Sequence, residues 1–190
     1  MKIMNLLQLI SKNNLFKFSL VFITIFFISL NAHSEIPEKY KIESSLKKCK
    51  GTDYRKWNNC YGEYEFPRIE YKGEWKKGAM HGKGILKEAW GDIFVGNFIE
   101  NKANGFGRTD VLMNGEYTGY YEGEFKNDLP HGKGVLEEFG RLIYEGEFAE
   151  GYPNGKGSME WYDGTKYIGD FKEFESHGTG TMEFPNGDSF

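Results

Sequence analysis

Across residues 71–190, apolar and polar side chains alternate in short stretches that restart at a fixed interval. Each restart reads aromatic, any residue, Gly, polar, aromatic: Tyr71-Lys72-Gly73-Glu74-Trp75, Phe94-Val95-Gly96-Asn97-Phe98, Tyr121-Glu122-Gly123-Glu124-Phe125, Tyr144-Glu145-Gly146-Glu147-Phe148 and Tyr167-Ile168-Gly169-Asp170-Phe171. In an extended chain, residues one, three and five share a face. Tyr71, Gly73 and Trp75 therefore project one way, and Lys72, Glu74 and Lys76 the other. A period of two predicts half-buried strands, and a glycine at the centre of every stretch excludes helices. Successive starts lie 23, 27, 23 and 23 residues apart, the longer interval carrying four extra residues near positions 117–120.

A second pattern follows ten residues into each unit: His81-Gly82-Lys83-Gly84, Asn104-Gly105-Phe106-Gly107, His131-Gly132-Lys133-Gly134, Asn154-Gly155-Lys156-Gly157 and His177-Gly178-Thr179-Gly180. After Gly84 comes Ile85-Leu86, and the matching stretches start with Val135-Leu136, Ser158-Met159 and Thr181-Met182, so each unit offers a second strand. Asp163-Gly164 and Asn186-Gly187 mark tight turns. The expected fold is all-β: an elongated, single-layer antiparallel meander of about five hairpins, each burying a face by stacking on its neighbours. The central glycine leaves room for a ring from a neighbouring strand. The His-Gly-x-Gly and Asn-Gly-x-Gly motifs are placed at the hairpin bend, where positive φ suits glycine.

These motifs resemble the MORN repeat family, whose repeats read roughly Tyr-x-Gly-Glu-Trp/Phe and then His-Gly-x-Gly. The resemblance covers residues 71–190, as repeats 71–93, 94–120, 121–143, 144–166 and 167–190. Departures are Asn97 for Glu, Asn104 and Asn154 for His, and the four-residue insertion. Residues 49–62, from Cys49 through Trp57 to Cys60-Tyr61-Gly62, are also similar to the cysteine-bearing segment preceding MORN repeats in secreted bacterial proteins. Aligned on Gly62 and Gly84, residues 49–70 form a half repeat capping the first hairpin.

Residues 1–34 alter the charge reading. They contain Lys2, Lys12 and Lys17, no acid, an uncharged apolar run over 18–30, and then Ala32-His33-Ser34, the composition of a secretory signal cleaved after Ser34. The run of 13 residues is short of the roughly 20 that span a bilayer. The alternative is an uncleaved anchor in the inner membrane. Residues 35–48 read as a polar linker. Removing the signal leaves 21 basic against 28 acidic residues, a net charge of −7. That sign disfavours anionic lipid and nucleic acid. In an oxidising compartment, periplasmic or extracellular, Cys49 and Cys60 are expected to form a disulfide.

Candidate chemistry is sparse. His81, His131 and His177 recur at equivalent positions, but adjacent ones are four strands apart, about 19 Å, too far to share a metal. Glu74, Glu124, Glu147 and Asp170 recur too. Equivalent positions on an open face lack the two different environments that a catalytic acid pair needs. Neither a cofactor nor a catalytic residue is expected. The aromatic ladder Tyr71, Trp75, Phe94, Phe98, Tyr121, Phe125, Tyr144, Phe148, Tyr167 and Phe171 reads mainly as core. Incompletely covered, it would make a groove for a peptide or glycan.

The strand over residues 178–184 is expected to be an edge with unpaired backbone groups, carrying Thr179, Thr181 and Met182. It is a candidate surface for self-association or strand addition. The resemblance implies an interaction or positioning module, here an exported scaffold that binds an unidentified protein partner. A phospholipid-associating module is the alternative, and an exported glycan-binding or hydrolytic protein a second.

Overall fold

The structure, a computed structural model, describes residues 40–113 and 115–190. The expected signal at 1–34 lies outside them. Among the described residues, eleven strands form one open antiparallel sheet in strict chain order: β1 (Cys60–Phe66), β2 (Ile69–Lys76), β3 (Ala79–Glu88), β4 (Ile93–Ile99), β5 (Lys102–Met113), β6 (Glu116–Lys126), β7 (Leu129–Glu138), β8 (Leu142–Ala149), β9 (Tyr152–Trp161), β10 (Lys166–Lys172) and β11 (Glu175–Glu183). The only helical piece among the described residues is a 3-10 turn, Tyr54–Lys56. No helix there is long and apolar enough to cross a membrane.

The glycines set the register. Gly62 pairs with Gly73, Gly73 with Gly84, and so on through Gly96, Gly107, Gly123, Gly134, Gly146, Gly157 and Gly169 to Gly180, a row crossing every strand. The ring that fills each gap differs from expectation. It comes from the same strand, two residues earlier: Tyr121 lies over Gly123 and over Gly134 of the next strand, where an added Cβ would sit 2.5–2.6 Å from its ring and hydroxyl. The ten ladder rings stack edge-to-face in one unbroken zigzag with centroids 4.8–5.2 Å apart, from Trp75 through Tyr71, Phe98, Phe94, Phe125, Tyr121, Phe148, Tyr144 and Phe171 to Tyr167.

The hairpin bends also differ from expectation. His-Gly-x-Gly lies inside the second strand of each hairpin, at a bulge. Gly73 pairs with Gly84 and Trp75 with Met80, so Glu74 alone faces His81, Gly82 and Lys83. The actual bends are two-residue turns with both residues at positive φ: Lys77-Gly78, Glu100-Asn101, Asn127-Asp128, Glu150-Gly151 and Glu173-Phe174. That is the turn whose twist matches paired strands. These five dipeptides share no residue pattern, whereas the recurring Gly-x-Gly runs drew the expected bend to the wrong place.

These turns stack along one rim. Asn101 N donates to Met80 O (3.0 Å), and Met80 N donates to Asn101 Oδ1 (2.8 Å); Asp128 and Ala103 repeat the exchange at 3.0 and 2.7 Å. In the next two hairpins Pro130 and Pro153 stand where Met80 and Ala103 stood, with no N–H to satisfy. The turn residues above them, Gly151 and Phe174, offer no side-chain acceptor and bond only to the proline carbonyls.

The amino-terminal segment imitates a preceding hairpin. Trp57 O accepts from Gly78 N (2.8 Å), Asn58 Oδ1 accepts from Lys77 N (3.1 Å), and the Trp57 ring covers Gly62 and packs on Trp75. The Cys49–Cys60 disulfide closes this piece. The linker reading needs correction, because residues 40–48 lie on the sheet. Tyr40 donates to Asp110 on β5, and Ser44 donates to Glu74 on β2 at 2.7 Å.

At the other end the edge is shorter than expected. The chain turns at Asn186-Gly187, and Met182 and Phe190 exchange backbone hydrogen bonds of 2.9 and 3.1 Å. Thr179 N is already given to Asp170 Oδ2 (3.1 Å), and Met182 packs against the core. The open backbone is therefore confined to the part of β11 before Met182.

Candidate functional site

The two faces of the sheet have different fates. On the ring face every ladder residue is buried, from 0% exposure at Tyr71 and Tyr144 to 7% at Tyr167, so these residues form the core and leave no groove for a ligand. The tyrosine hydroxyls reach past the glycines to donate to the backbone: Tyr71 to Glu74 O (3.0 Å), Tyr121 to Glu124 O (2.9 Å), Tyr144 to Glu147 O (2.9 Å) and Tyr167 to Asp170 O (3.3 Å). Burial pushes the Tyr144 phenol up to about 12, and those of Tyr71 and Tyr121 higher still.

The recurring acids serve the bulge. Glu124 Oε1 accepts from Lys133 N (3.1 Å), Glu147 Oε2 from Lys156 N (2.9 Å), and Glu74 Oε2 from Lys83 N (3.4 Å). Each carboxylate satisfies an amide that the bulge takes out of the ladder. Its side chain lies over the positive-φ glycine, which explains Gly82, Gly132 and Gly155. Asn97, the departure in the second unit, reverses the polarity and donates to Phe106 O (3.2 Å). Asp170 is held down to about 2, first by the Lys156 ammonium (2.8 Å) and then by the Thr179 amide. His81 and His177 sit beside the bulge, their carbonyls accepting from Tyr71 and Tyr167. Among the described residues no three His, Cys, Asp or Glu are placed to hold a metal ion.

The opposite face remains. Over the first two repeats it is crossed by residues 40–44, and Ile85, which points to this side between the two contact points, is fully buried. Asp110, 4% exposed, takes Tyr40 and also Arg108 Nε (2.7 Å). Arg108 spans to Glu122 (2.9 Å) and stacks on Tyr120 at 3.7 Å. Beyond Tyr40, the first described residue of this segment, a groove of about 940 Å³ lies over β5–β10, floored by the glycine row. Its walls include Phe106 (60% exposed), Val135 and Ile168 (45% exposed), with Glu145, Glu147 and Lys156.

Sequence reasoning missed both the crossing segment and the groove. Alternation of Tyr40, Ile42 and Ser44 was a faint signal for the first. For the second, the only cue was apolar residues at positions that the repeat makes polar.

The MORN repeat family matches residues 71–93, 94–109, 121–137, 144–166 and 167–189. Among curated proteins, the chain is similar to Alsin from Homo sapiens and from Rattus norvegicus, 38% identical in each case over 64 residues, covering 30% of this chain. The aligned part spans only 4% of those relatives' own length. With five matched repeats, and a glycine row and ring ladder that repeat in register with them, the chain belongs to the MORN-repeat family.

Proposed function

We propose that the protein is an exported, non-enzymatic scaffold that holds a protein partner against the open face of its sheet. MORN repeats often mediate protein–protein or membrane interactions. The observation that carries the protein reading is the contrast between faces: the ring face is spent on the fold, while over repeats three to five the other presents equivalent side chains around a groove. Export is supported by the apolar run at 18–30 with Ala32-His33-Ser34, and by a disulfide of the kind that persists in oxidising compartments. Against a lipid surface stand the net charge of −7 from residue 35 onward and lysines interleaved with acids.

The test sets the two partners side by side. The chain beginning at Glu35 is incubated with envelope extract in one arm and with anionic phospholipid vesicles in the other, at physiological salt. A stoichiometric protein in the first arm, with no pelleting in the second, is the expected result. Salt-sensitive pelleting with vesicles and no protein retained would replace this reading with the membrane one.

A further inference from the structure

The segment at residues 40–48 shows how this face receives polypeptide. Its two contacts, Ser44 on Glu74 and Tyr40 on Asp110, are four residues and three strands apart. Four extended residues reach about 13 Å, and three strand spacings about 14 Å, so the segment runs extended across the strands. The crossing stretch, residues 40–44, carries Lys41 and Glu43; Lys47 and Lys48 follow where the chain pairs alongside β1, Tyr61 N donating to Lys47 O (2.9 Å) and Cys49 N to Tyr61 O (2.8 Å).

The same acceptor positions recur where, among the described residues, nothing crosses the sheet. Glu124 and Glu147 are the repeat equivalents of Glu74, and Glu137 and Glu160 those of Asp110, counted from the glycine row. In Glu74 one carboxylate oxygen caps the bulge and the other takes Ser44. In Glu124 and Glu147 one oxygen likewise caps the bulge. The second has no protein partner among the described residues. Across β6–β10 alternation puts seven acids on this face against five lysines, Lys126, Lys133, Lys156, Lys166 and Lys172, and Lys156 is already paired with Asp170. Between the acids, Val135 and Ile168 supply apolar floor.

We propose that repeats three to five bind a cationic, extended segment of the partner protein, its charge matched to the acidic surplus of this face, laid across the strands as residues 40–44 lie across repeats one and two. This rests on the interaction reading above and specifies its site and the chemistry of its ligand. Lysines and hydroxyls of the bound segment meet the free oxygens of Glu124 and Glu147, and alternate apolar side chains seat on Val135 and Ile168. Attraction between a cationic segment and this face weakens as salt rises.

The probe is a fluorescent peptide of sequence Tyr-Lys-Ile-Glu-Ser-Ser-Leu-Lys-Lys, copied from residues 40–48, titrated against the purified protein by anisotropy. Saturable, salt-sensitive binding is expected, weakened at least tenfold by Glu145→Lys with Ile168→Lys and unchanged by Glu100→Lys on the turn rim. Both groove positions are exposed, and an unchanged thermal midpoint verifies folding. Absence of saturable binding overturns the proposal. So does binding that survives the groove variant and is lost on Glu74→Gln, which would mean displacement of the chain's own segment. If the peptide fails while a protein recovered from envelope extract binds wild type and groove variant equally, this site falls and the interaction reading stands. If neither binds, the reading itself falls.

Discussion

Replacing Gly134 with alanine is expected to lower stability by about 3 kcal/mol, the upper end for forcing extra volume into a packed core. The new methyl would occupy the space of the Tyr121 ring, 2.5 Å from its hydroxyl and 2.6 Å from its edge. That ring is fixed by Phe125 and Phe148 at 5.0 and 4.8 Å, so moving it disturbs two further contacts of the ladder. Gly134 does not have positive φ, so backbone strain is not the cause. Gly140 supplies the comparison: its φ is +71° and nothing lies within 4 Å of an added Cβ. Gly140→Ala should lose only about 1 kcal/mol, from the left-handed backbone alone. Urea denaturation of the two variants separates the effects; equal losses would mean that the glycine row is not there to receive the rings.

Phe148→Ala is expected to cost about 3–5 kcal/mol, the usual range for emptying a buried aromatic site. It should also change the shape of the transition. Phe148 is the ring that joins Tyr121 of the third repeat to Tyr144 of the fourth, at 4.8 and 5.1 Å, and the sheet has no second layer to bridge the gap. In a linear array stability is carried by neighbour-to-neighbour interfaces, so the two halves should separate into distinct unfolding steps. In a Trp161→Phe background, tryptophan fluorescence follows the amino-terminal half through Trp57, Trp75 and Trp90, while far-ultraviolet circular dichroism follows all strands. Coincident transitions in the variant would show that coupling runs through the backbone ladder alone.

Much of this architecture was legible in the sequence because the repeat fixes strand, face and register together. Tyr71, Gly73 and Trp75 on one face could be read from period two, and the five-fold agreement left little choice of topology. Two things were not legible. The bulge at His81-Gly82-Lys83 depends on Glu74 turning back to cap an amide, a contact between strands that no local pattern announces. Positive φ at Glu100, Glu173 and Phe174 is imposed by the hairpin twist, against the preferences of those residues. The ladder was legible mainly as core, as its burial shows; the alternative of a part-covered groove failed because glycine pairs let the rings sink onto the backbone and close that face. The face proposed to take the partner is the side read as merely polar, and the placement of Tyr40 and Ser44 on it needed three-dimensional contacts.

Lysine acylation of the complex with its recovered protein partner, read by mass spectrometry against the free protein, tests the account at its centre. Lysines on both rim and open face are well distributed for it: Lys133 and Lys156 are exposed beside the groove, and Lys77, Lys102 and Lys126 lie on or beside the two-residue turns. The account predicts that the partner protects Lys133 and Lys156 and leaves the rim lysines as reactive as before. Protection of Lys77, Lys102 and Lys126 with Lys133 and Lys156 unchanged would contradict it, and would move the interface from the open face to the rim.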